Sequence, residues 1–541
     1  MVSSGRRAVL LGVLVALSAC ATHQRRFPLR APMTHDPDMR PWGPMPQEYV
    51  SPMVWDGADK LVFLPLTNAF WIPLGRPATN VTALDEVPDS SWYTNRSLTP
   101  EEAARGFCGE PLDTSGPWTI KSGKPNGVNP GFIFKAQDGR KYVLKVDGVD
   151  QPERPTGADL IGSRLYYAAG YHASCNRVVY FDPAILQIAP DATSEDERGN
   201  ERPFSTRDIE NVVALAARGP GRTIRASTSE FLPGRPLGPF TYLGTLDEDP
   251  NDVIPHEDRR EVRASYVLAA LTSHFDCREQ NTLDIWRETG RDLGYVEHHW
   301  LDWGDSFGSV FEPRQVARKL GHSHYFDIPQ MAENILTLGA IRRPWEGRND
   351  EHRLFGLYDV QHFEPDAWRP SYPNPAMSRM DEQDAHWAAR KLAAIGPAHI
   401  RAIVREARFS NPDDERLLAR TIIGRRVKLL RRYLLHWTPV ASFRVQGRDV
   451  CFDDLATRAG LARSSVRPIA HRARTASRDL ALHSDDQGLV CVTVPPGGGE
   501  YQVLSISARM AGEAEDLRPV DVHVYDLPGR GLVLAGIERD E

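Results

Sequence analysis

The sequence predicts an α+β protein with two lobes, followed by a β-sandwich. Strand-like segments separated by turns fill residues 118 to 146, and one helix and another strand follow them. Helical periodicity dominates residues 255 to 273 and 379 to 436. Short alternating segments return after residue 439. We therefore expect a small β-rich lobe at about residues 110–240, a helical lobe at about 241–438 and the β-sandwich at 439–541.

The first twenty residues carry a targeting pattern. Arg6 and Arg7 precede the apolar run 8–17, which is too short to span a bilayer as a mature helix. The run ends in Leu17-Ser18-Ala19-Cys20, which resembles the lipobox of bacterial lipoproteins. The resemblance implies that residues 1–19 are a signal peptide and that acylated Cys20 anchors the chain in membrane lipid of the bacterial cell envelope. Ala21 in place of an aspartate resembles an outer-membrane address; a conventional signal peptide with an incidental cysteine is the alternative.

Residues 20–52 are expected to form an extended tether that lifts the rest of the chain off the membrane. Seven prolines fall between residues 21 and 52, together with several charges and few aliphatic side chains. Such a composition favours extended chain over a packed core. The folded body is then expected from residue 53 onward, with residues 53–438 forming one domain.

Charge and cysteine content narrow the functional classes. The net charge of −7 argues against a general nucleic-acid binder, because such proteins normally carry a basic excess. Five cysteines remain after Cys20, and an oxidising compartment permits disulfides. The odd number leaves at least one thiol free. We expect Cys451 and Cys491 to pair, since both lie in the predicted C-terminal strands.

Three strands and a helix define the predicted small lobe. The loop SGKPNGVNPG joins the first two strands, and the QDGR turn that follows is typical of a hairpin. The third strand, KYVLKVD, places Lys145 between apolar neighbours that face the other side of the sheet. A helix follows at about residues 156–169, with Asp159 in its first turn.

Two helical regions define the larger lobe. The segment HEDRREVRASYVLAALTSH repeats apolar residues at helical spacing and ends just before Asp276. Further along, Ser410-Asn411-Pro412-Asp413 marks a helix start, because it combines a capping side chain, a proline and an acid at the positive end of the helix dipole. Asp276 and Asn281 therefore lie where the chain leaves one helix and enters the apolar stretch TLDIW.

Four polar side chains follow these elements in order. Lys145 lies on a strand, Asp276 and Asn281 stand five positions apart, and Asp302 opens the sequence Asp-Trp-Gly. Phosphoryl transfer depends mainly on positioning and on charge stabilisation, so the protein has to supply a cation for phosphate oxygens and oxygen ligands for a metal ion. A lysine, an amide and two carboxylates meet that need.

The stretches YVLKVD, HFDCREQNTLDIW and YVEHHWLDWGDSFGS together resemble the protein-kinase-like fold. The likeness runs loosely from residue 88 to residue 435, and it is to uncharacterised exported bacterial kinase-like lipoproteins, which are atypical and similar to spore-coat kinases. The family signature H-R-D-x-x-x-x-N is matched by His274, Asp276 and Asn281, whereas Phe275 replaces the arginine. Without that arginine, regulation through a phosphorylated activation loop is not expected.

The resemblance implies a role for each of these residues. Lys145 would contact the phosphates of ATP, and Asp159 on the following helix would hold the lysine in place, with Glu153 as the second candidate. Asp276 would accept or orient the proton of the attacking hydroxyl. The family usually has glutamate where Asp159 stands, so the shorter side chain is a departure from the pattern.

The resemblance also implies a divalent ion, Mg²⁺ or Mn²⁺. Asn281 and Asp302 would bind it, and Asp305 is the rival for the role of Asp302. Gly123 and Gly127 would approach the nucleotide phosphates, although the prolines of the same loop remove N–H groups that a phosphate nest needs. The loop is equally compatible with an ordinary hairpin connection and with a site for something other than an adenine nucleotide.

Two functions stay open at this point. The motifs favour a membrane-anchored, ATP-dependent phosphotransferase that transfers phosphoryl or nucleotidyl groups to an unidentified protein or envelope substrate. An exported chain faces a compartment not expected to hold much ATP, which favours a catalytically inactive, kinase-shaped scaffold or binding protein. A zinc site at His298 and His299 is a weaker interpretation, because adjacent residues on a strand face opposite sides of the sheet.

Overall fold

The structure is a computed structural model, and it describes residues 25–31, 33–50, 53–67, 75–124, 130–148, 151–195, 200–308, 314–461, 469–496 and 499–540. Its helices and separate sheets agree with the predicted α+β class. Cys20 and Gly127, both predicted site residues, lie outside the described residues.

The strands assemble into four sheets within the described part of the chain. They are β1 Trp118–Gly123, β2 Gly131–Lys135, β3 Lys141–Val146, β4 Asn176–Phe181, β5 Leu186–Glu195, β6 Glu201–Pro203, β7 Ile224–Glu230, β8 Arg235–Gly238, β9 Thr282–Gly290, β10 Leu293–Trp300, β11 Val440–Gln446, β12 Asp449–Asp454, β13 Ile469–Arg474, β14 Leu482–Ser484, β15 Leu489–Thr493, β16 Tyr501–Met510, β17 Val520–Leu527 and β18 Gly531–Glu538.

Helices connect and cover these sheets. They are α1 Met53–Ala58, α2 Leu64–Thr67, α3 Pro100–Arg105, α4 Arg154–Ala169, α5 Thr206–Leu215, α6 Arg260–Thr272, α7 Arg314–Lys319, α8 Ile328–Leu336, α9 Glu382–Ala394, α10 Pro397–Glu406, α11 Pro412–Tyr433 and α12 Leu455–Arg458. A π turn, Asp59–Phe63, joins α1 to α2.

The first sheet has β3 as an interior strand between β7 and β2, in the order β4-β7-β3-β2-β1-β5-β6. Strand β3 alternates between its two faces, so Tyr142 and Leu144 enter the sheet's apolar core while Lys145 faces the other side. Helix α5 adds Val212 to that core. Helix α4 packs against β4 and β7 and faces Lys145 through Asp159. The sheet thus presents a lysine to a helix across its second face.

Helices α4, α6, α9, α10 and α11 share a second apolar core. All the residues of α6 are buried, as expected of a helix at the centre of a helical region. Its arginines are paired with acids: Arg260 lies 3.2 Å from Asp384, and Arg263 lies 2.7 Å from Asp258. After the loop 273–281 that follows α6, strands β9 and β10 form a small antiparallel sheet with β8. Helix α6 is therefore a fixed base for the loop that follows it.

The chain after residue 439 forms two four-stranded antiparallel sheets, β11-β12-β15-β14 and β13-β16-β17-β18. One apolar core contains side chains from both, including Val450 and Val492 from the first and Leu504 and Val522 from the second. Burial alternates along β16, which agrees with the alternating sequence pattern that predicts strands in this region.

Two disulfides cross-link the described residues. Cys451 and Cys491 are bonded between neighbouring positions of β12 and β15, which confirms the predicted pair. Cys108 and Cys175 form a second bond that the sequence did not single out. Cys277 keeps a buried thiol, in agreement with the expectation of an unpaired cysteine.

Residues 25–31 and 33–50, which belong to the segment expected as a tether, contact the body of the protein. Phe27 packs in a small cluster with Tyr525 and Ala535 on the C-terminal sheets. Trp42 lies in a second cluster with Trp286, and the two indoles meet edge to face. Aromatic side chains give this proline-rich segment enough apolar surface to be held against the body along its path. Across the described ranges, no helix has the length and apolar character needed to cross a bilayer.

Protonation of buried histidines makes the stability of this fold depend on pH. His386 on α9 packs edge to face on Trp437, and its Nδ1 lies 3.1 Å from the carbonyl oxygen of Tyr433. Burial, with added repulsion from nearby arginines, lowers the pKa of His386 well below its ordinary value. Below about pH 6.5, His386 therefore binds a proton in the unfolded chain but not in the folded chain. The free energy of unfolding consequently falls as the pH drops below that value.

We expect His386→Gln to weaken this pH dependence. Between pH 6.5 and pH 5, the free energy of unfolding should fall more steeply for the native chain than for His386→Gln. The difference in slope should be up to about 1.4 kcal/mol per pH unit for this one group. Urea denaturation at several pH values measures the slope. His483→Gln, at a side chain that is 63% exposed, is the matched control and should leave the slope unchanged. Equal slopes for His386→Gln and the native chain would contradict the assignment.

Candidate functional site

Lys145 forms the centre of a buried charge cluster. Its Nζ lies 2.9 Å from Oδ1 of Asp302 and 3.6 Å from Oδ2 of Asp159. The lysine side chain is 13% exposed, so its ammonium has lost most of its water and depends on these carboxylates. The three residues come from β3, from α4 and from the segment after β10, which the fold therefore brings together.

Asp159, rather than Glu153, is the acid that α4 places beside the lysine. Asp159 is almost fully buried; its Oδ1 accepts a hydrogen bond from the Trp303 backbone N–H at 3.2 Å, and its Oδ2 accepts one from Ser227 at 3.3 Å. Glu153 precedes the helix and accepts from the backbone N–H of Ser410 instead. The carboxylate of Asp159 thus links the lysine strand to the backbone next to Asp302.

Asp302 has an uncommon backbone conformation. Its φ is +53°, in the left-handed region that non-glycine residues seldom adopt. Such a conformation persists where neighbouring contacts determine it, and it is frequent at functional sites. Its side chain is 42% exposed, and its Oδ1 also accepts a hydrogen bond from the Gly304 backbone N–H at 3.4 Å. Asp302 therefore joins the buried lysine to the solvent-accessible side of the cluster.

Trp303 and Gly162 set the distance between α4 and the Asp302 segment. Trp303 is fully buried, and a Cβ atom built on Gly162 would stand 2.3 Å from its side chain. Real Cβ contacts do not come this close, so a helix residue larger than glycine would push the indole away. The absence of a side chain at residue 162 lets the tryptophan, and with it the neighbouring aspartate, lie close to the helix.

Asp276 and Asn281 form the second half of the site. Helix α6 ends at Thr272, and the capping residue Ser273, with a φ of +50°, turns the chain into the loop that holds both residues. The Asn281 side-chain amide donates to the backbone oxygen of Asp276 at 2.6 Å and to its Oδ2 at 3.1 Å. Arg278 Nε lies 3.2 Å from the other carboxylate oxygen of Asp276. The five-residue interval is thus closed into a compact turn by its own side chains.

The backbone joins the two halves. The Leu301 N–H donates to the Asn281 carbonyl oxygen at 2.9 Å, so Asp302 follows directly on a residue bonded to the loop. Burial, and after it the charges of Asp305 and Asp302, raise the pKa of Asp276. The predicted residues Lys145, Asp159, Asp276, Asn281 and Asp302 therefore belong to one neighbourhood.

Burial and mutual charge shift the pKa values of this group in opposite directions. Burial disfavours the ammonium of Lys145, but the two carboxylates beside it raise its pKa above the ordinary value. Burial acts on Asp302 as well, yet direct contact with the ammonium lowers the pKa of Asp302. Burial raises the pKa of Asp159, and it raises the pKa of Asp276 to about 7. Lys145 and Asp302 are therefore a charged pair, while the pKa of Asp276 lies near neutral pH.

The predicted phosphate loop is described only in part, because Gly127 falls in the range 125–129. Gly123 ends β1, and a Cβ there would lie 2.7 Å from the Ser194 side-chain oxygen. Gly131 opens β2 opposite Lys145, and a Cβ there would lie 1.9 Å from the Leu144 carbonyl oxygen. Close approach of a neighbouring backbone thus requires glycine at residue 131, whereas at residue 123 the nearest atom belongs to a serine side chain that can rotate away.

Asp305 lies close to the site but has a different neighbour from Asp302. Arg154 donates to the carbonyl oxygens of Gly304 and Ser306, at 3.0 and 3.1 Å, on either side of it. Burial raises the pKa of Asp305, and the charge of Arg154 opposes that shift. Of the two rival carboxylates, Asp302 is the one in contact with Lys145.

Sequence reasoning missed three basic residues of this neighbourhood. Arg278 stands two positions after Asp276, so its pairing was within reach of a local pattern. Lys124, in the loop SGKPNG, has its pKa lowered to about 8 by burial and then by the charge of Lys145. Arg154 opens α4 and reaches the Asp302 segment. No spacing in the sequence predicts that last contact, since it joins distant parts of the chain.

The adjacent histidines of β10 point to opposite sides, as predicted. His298 stacks on Trp92 with ring centres 3.6 Å apart, and its Nδ1 lies 2.6 Å from Asp284. His299 faces Glu297, whose Oε2 lies 3.0 Å from its Nε2. The pair therefore does not form a zinc site of its own.

The chain was compared with protein-family models, with curated proteins and with solved structures. No protein-family model matches the chain, and no curated protein matches it. Two crystal structures of the Golgi casein kinase are similar to it at 12% identity with a TM-score of 0.23. The first match covers 58% of this chain and 75% of the kinase; the second, to the kinase with Mn and ADP bound, covers 59% and 74%. A likeness this low gives no support to a shared activity.

We expect Gly162→Ala to disturb the site. Alanine normally stabilises a helix by about 1 kcal/mol relative to glycine, but here its methyl group would displace Trp303 and overpacking costs typically about 1–3 kcal/mol. Thermal or urea unfolding should therefore show a net loss of stability. Gly57→Ala, in α1 with its nearest neighbour 3.7 Å away, is the control and should be neutral or stabilising. Stabilisation by Gly162→Ala would refute the close packing of the indole.

Proposed function

We propose that this chain is a kinase-like protein that binds a nucleotide with Mg²⁺ or Mn²⁺ and transfers a phosphoryl group. In this proposal the seven-stranded sheet with α4 is the small lobe, the helical region is the large lobe, and the two C-terminal sheets form a β-sandwich. The nucleotide would lie in the cleft between the lobes, where Lys145 meets Asp302. The acceptor is a protein or another envelope molecule that the sequence does not identify. Transfer of a nucleotidyl group in place of a phosphoryl group would use the same residues.

The contact of Lys145 with Asp159 and Asp302 carries the proposal. Kinases place a lysine on the third strand, pair it with an acid on the following helix, and hold a metal ion with a later aspartate. Here the strand lysine, the helix acid and the later aspartate meet within 3.6 Å although they come from three separate segments. A solvated surface lysine, the common alternative, would not be buried between two carboxylates.

The oxygen atoms near the cluster suit a hard divalent cation. Asn281 uses its amide nitrogen to bind Asp276, which leaves the amide oxygen as its ligand atom. Asp302 offers a partly exposed carboxylate, and carboxylate and amide oxygens are ligands that Mg²⁺ and Mn²⁺ prefer. When bound, the ion supplies positive charge to the phosphate oxygens. Both predicted ligands therefore fit the proposed ion.

Asp276 supplies the proposed base. Its pKa of about 7, raised by burial, allows it to exchange a proton near neutral pH. Asn281 and Arg278 hold its carboxylate from two sides. The carboxylate would orient the attacking hydroxyl and accept its proton as the hydroxyl oxygen bonds to the terminal phosphorus of ATP and the bond from that phosphorus to the departing ADP breaks. Arg278 would keep the negative charge of Asp276 stable before the hydroxyl binds.

The location of the protein is part of the same proposal. Acylation of Cys20 would anchor the chain in the bacterial cell envelope, with the outer membrane as the expected site. This rests on the lipobox-like sequence at residues 17–20.

Nucleotide binding is expected to depend on Asp302. ATP with Mg²⁺ or Mn²⁺ should raise the melting temperature of the full chain, because a ligand that binds the folded state stabilises it. Asp302→Ala should lose most of that increase, since it removes a metal ligand and the partner of Lys145. Differential scanning fluorimetry with and without nucleotide measures the increase for each variant. Asp486→Ala, at an exposed position, is the matched control and should retain it.

Each outcome of that experiment decides something. An increase that is equal in the native chain and in Asp302→Ala would place the nucleotide elsewhere. No increase with any nucleotide and either metal would favour the catalytically inactive scaffold. Because ligand-induced increases are compared, a change in the variant's own stability does not confuse the result.

Asp276→Asn is expected to separate chemistry from binding. Loss of a general base typically lowers a rate by about 10²- to 10⁴-fold. We expect that loss in the release of ADP from ATP, while the nucleotide-induced increase in melting temperature persists. An unchanged rate would exclude Asp276 as the base. Loss of the temperature increase would indicate that Asp276 holds the site together instead.

A further inference from the structure

Three ligand-type side chains converge away from the Lys145 cluster. They are His172, Glu297 and His299, and one ligand atom from each lies within 4.8 Å of the other two. His172 follows the end of α4, where Gly170 turns the chain with a φ of +111°. Glu297 and His299 are two positions apart on β10, so they point to the same side of the strand.

Backbone contacts fix the distance between these two parts of the chain. The Trp300 N–H donates to the His172 carbonyl oxygen at 3.0 Å, and Ala173 forms a parallel bridge with Trp300. The histidine after α4 therefore lies opposite the end of β10 through main-chain bonds that do not depend on the side chains. The fold holds the cluster together before any ligand binds.

The side chains have ligand atoms to offer. Glu297 Oε2 lies 3.0 Å from Nε2 of His299, and its Oε1 lies 3.9 Å from Nδ1 of His172. Both histidine side chains are more than nine-tenths buried. Within the described residues, the Nδ1 atoms of His172 and His299 are buried without a hydrogen-bond partner, which is costly for an imidazole. A ligand that used Nδ1 of His172 would remove part of that cost.

Neighbouring polar groups orient the cluster. Thr94 Oγ1 lies 3.1 Å from Nε2 of His172, so the ring presents Nδ1 to Glu297. Histidine ligands usually bind an outer group in this way through the second ring nitrogen. Arg287 Nε lies 3.3 Å from Glu297 Oε2, which leaves Oε1 on the side of His172. Arg96 also faces the region, but its guanidinium donates to the carbonyl oxygens of Tyr167 and Tyr171.

A cavity of about 150 Å³ adjoins the three side chains. Zinc bound by two histidines and a glutamate keeps its fourth position for water, and this cavity has room for one. Two atoms bound to the same zinc ion lie at most about 4.2 Å apart, so small side-chain rotations would bring all three ligands into range. Ligand type, arrangement and space thus agree.

We propose that His172, Glu297 and His299 bind a divalent transition-metal ion of the Zn²⁺ type, with water as the fourth ligand. Two imidazoles and one carboxylate are borderline ligands that favour Zn²⁺ and Co²⁺ over Mg²⁺. The ion links the end of α4 to β10. It is separate from the proposed Mg²⁺ site and does not depend on nucleotide binding or on turnover.

Metal titration of the full chain tests this proposal. Protein without a polyhistidine tag is treated with chelator, dialysed and titrated with Zn²⁺ alone by calorimetry, and with Co²⁺ alone by visible absorption. We expect binding of one equivalent and the absorption bands of a four-coordinate cobalt ion. His299→Ala and Glu297→Gln should each weaken binding by at least about tenfold, since loss of even outer groups costs about 10- to 100-fold.

Controls make the result decisive. His483→Ala removes an exposed histidine and should leave the affinity unchanged. Asp302→Ala should also bind one equivalent, which separates this site from the proposed nucleotide site. Circular dichroism and melting in chelator verify that each variant is folded, and Glu297→Gln, which keeps the shape of the side chain, decides if His299→Ala fails to fold. Absence of binding by the native chain, or equal affinity in Glu297→Gln, would overturn the proposal.

Discussion

The ammonium of Lys145, placed between the carboxylates of Asp159 and Asp302, is the interaction on which the site depends. A buried charge is tolerated only when it is paired, so removal of the Lys145 ammonium would leave the buried carboxylate of Asp159 without its counter-charge. Because the three side chains must stay in contact, the distances between β3, α4 and the segment after β10 are fixed. Gly162 and Gly131 meet it by removing side chains where the backbones and the indole of Trp303 approach each other.

The second half of the site has a different physical basis. Asp276 and Asn281 are held by their own turn, which leaves the buried helix α6 at a left-handed Ser273. Local hydrogen bonds, rather than a distant ion pair, therefore fix these two residues. The main-chain bond from Leu301 to Asn281 connects this turn to the lysine cluster. The site therefore combines an ion-pair cluster between segments far apart in the sequence with a loop held by hydrogen bonds between residues close in the sequence.

Much of this arrangement could be predicted from the sequence, because it follows from periodicity and order. Alternation along KYVLKVD put Lys145 on the face opposite the core, and the position of the next helix favoured Asp159. Contacts between distant segments could not be predicted. Arg154 reaches Gly304 through tertiary packing alone, and the neighbours of His299 gave no sign of His172, since a strand pattern shows only which residues share a face. The expectation of a tether at residues 20–52 likewise rests on composition, which does not report where single aromatic residues dock.

Phe27 has a consequence for where this protein can act. Its ring is held between the C-terminal strands, against Tyr525 and Ala535. If Cys20 carries the lipid, only six residues lie between it and Phe27, and a fully extended chain from one to the other covers at most about 25 Å. The C-terminal sheets would then ride within one protein diameter of the bilayer. Molecules lying on, or embedded in, the same leaflet would be within easy reach, whereas those dispersed through the aqueous compartment would have to come to the surface.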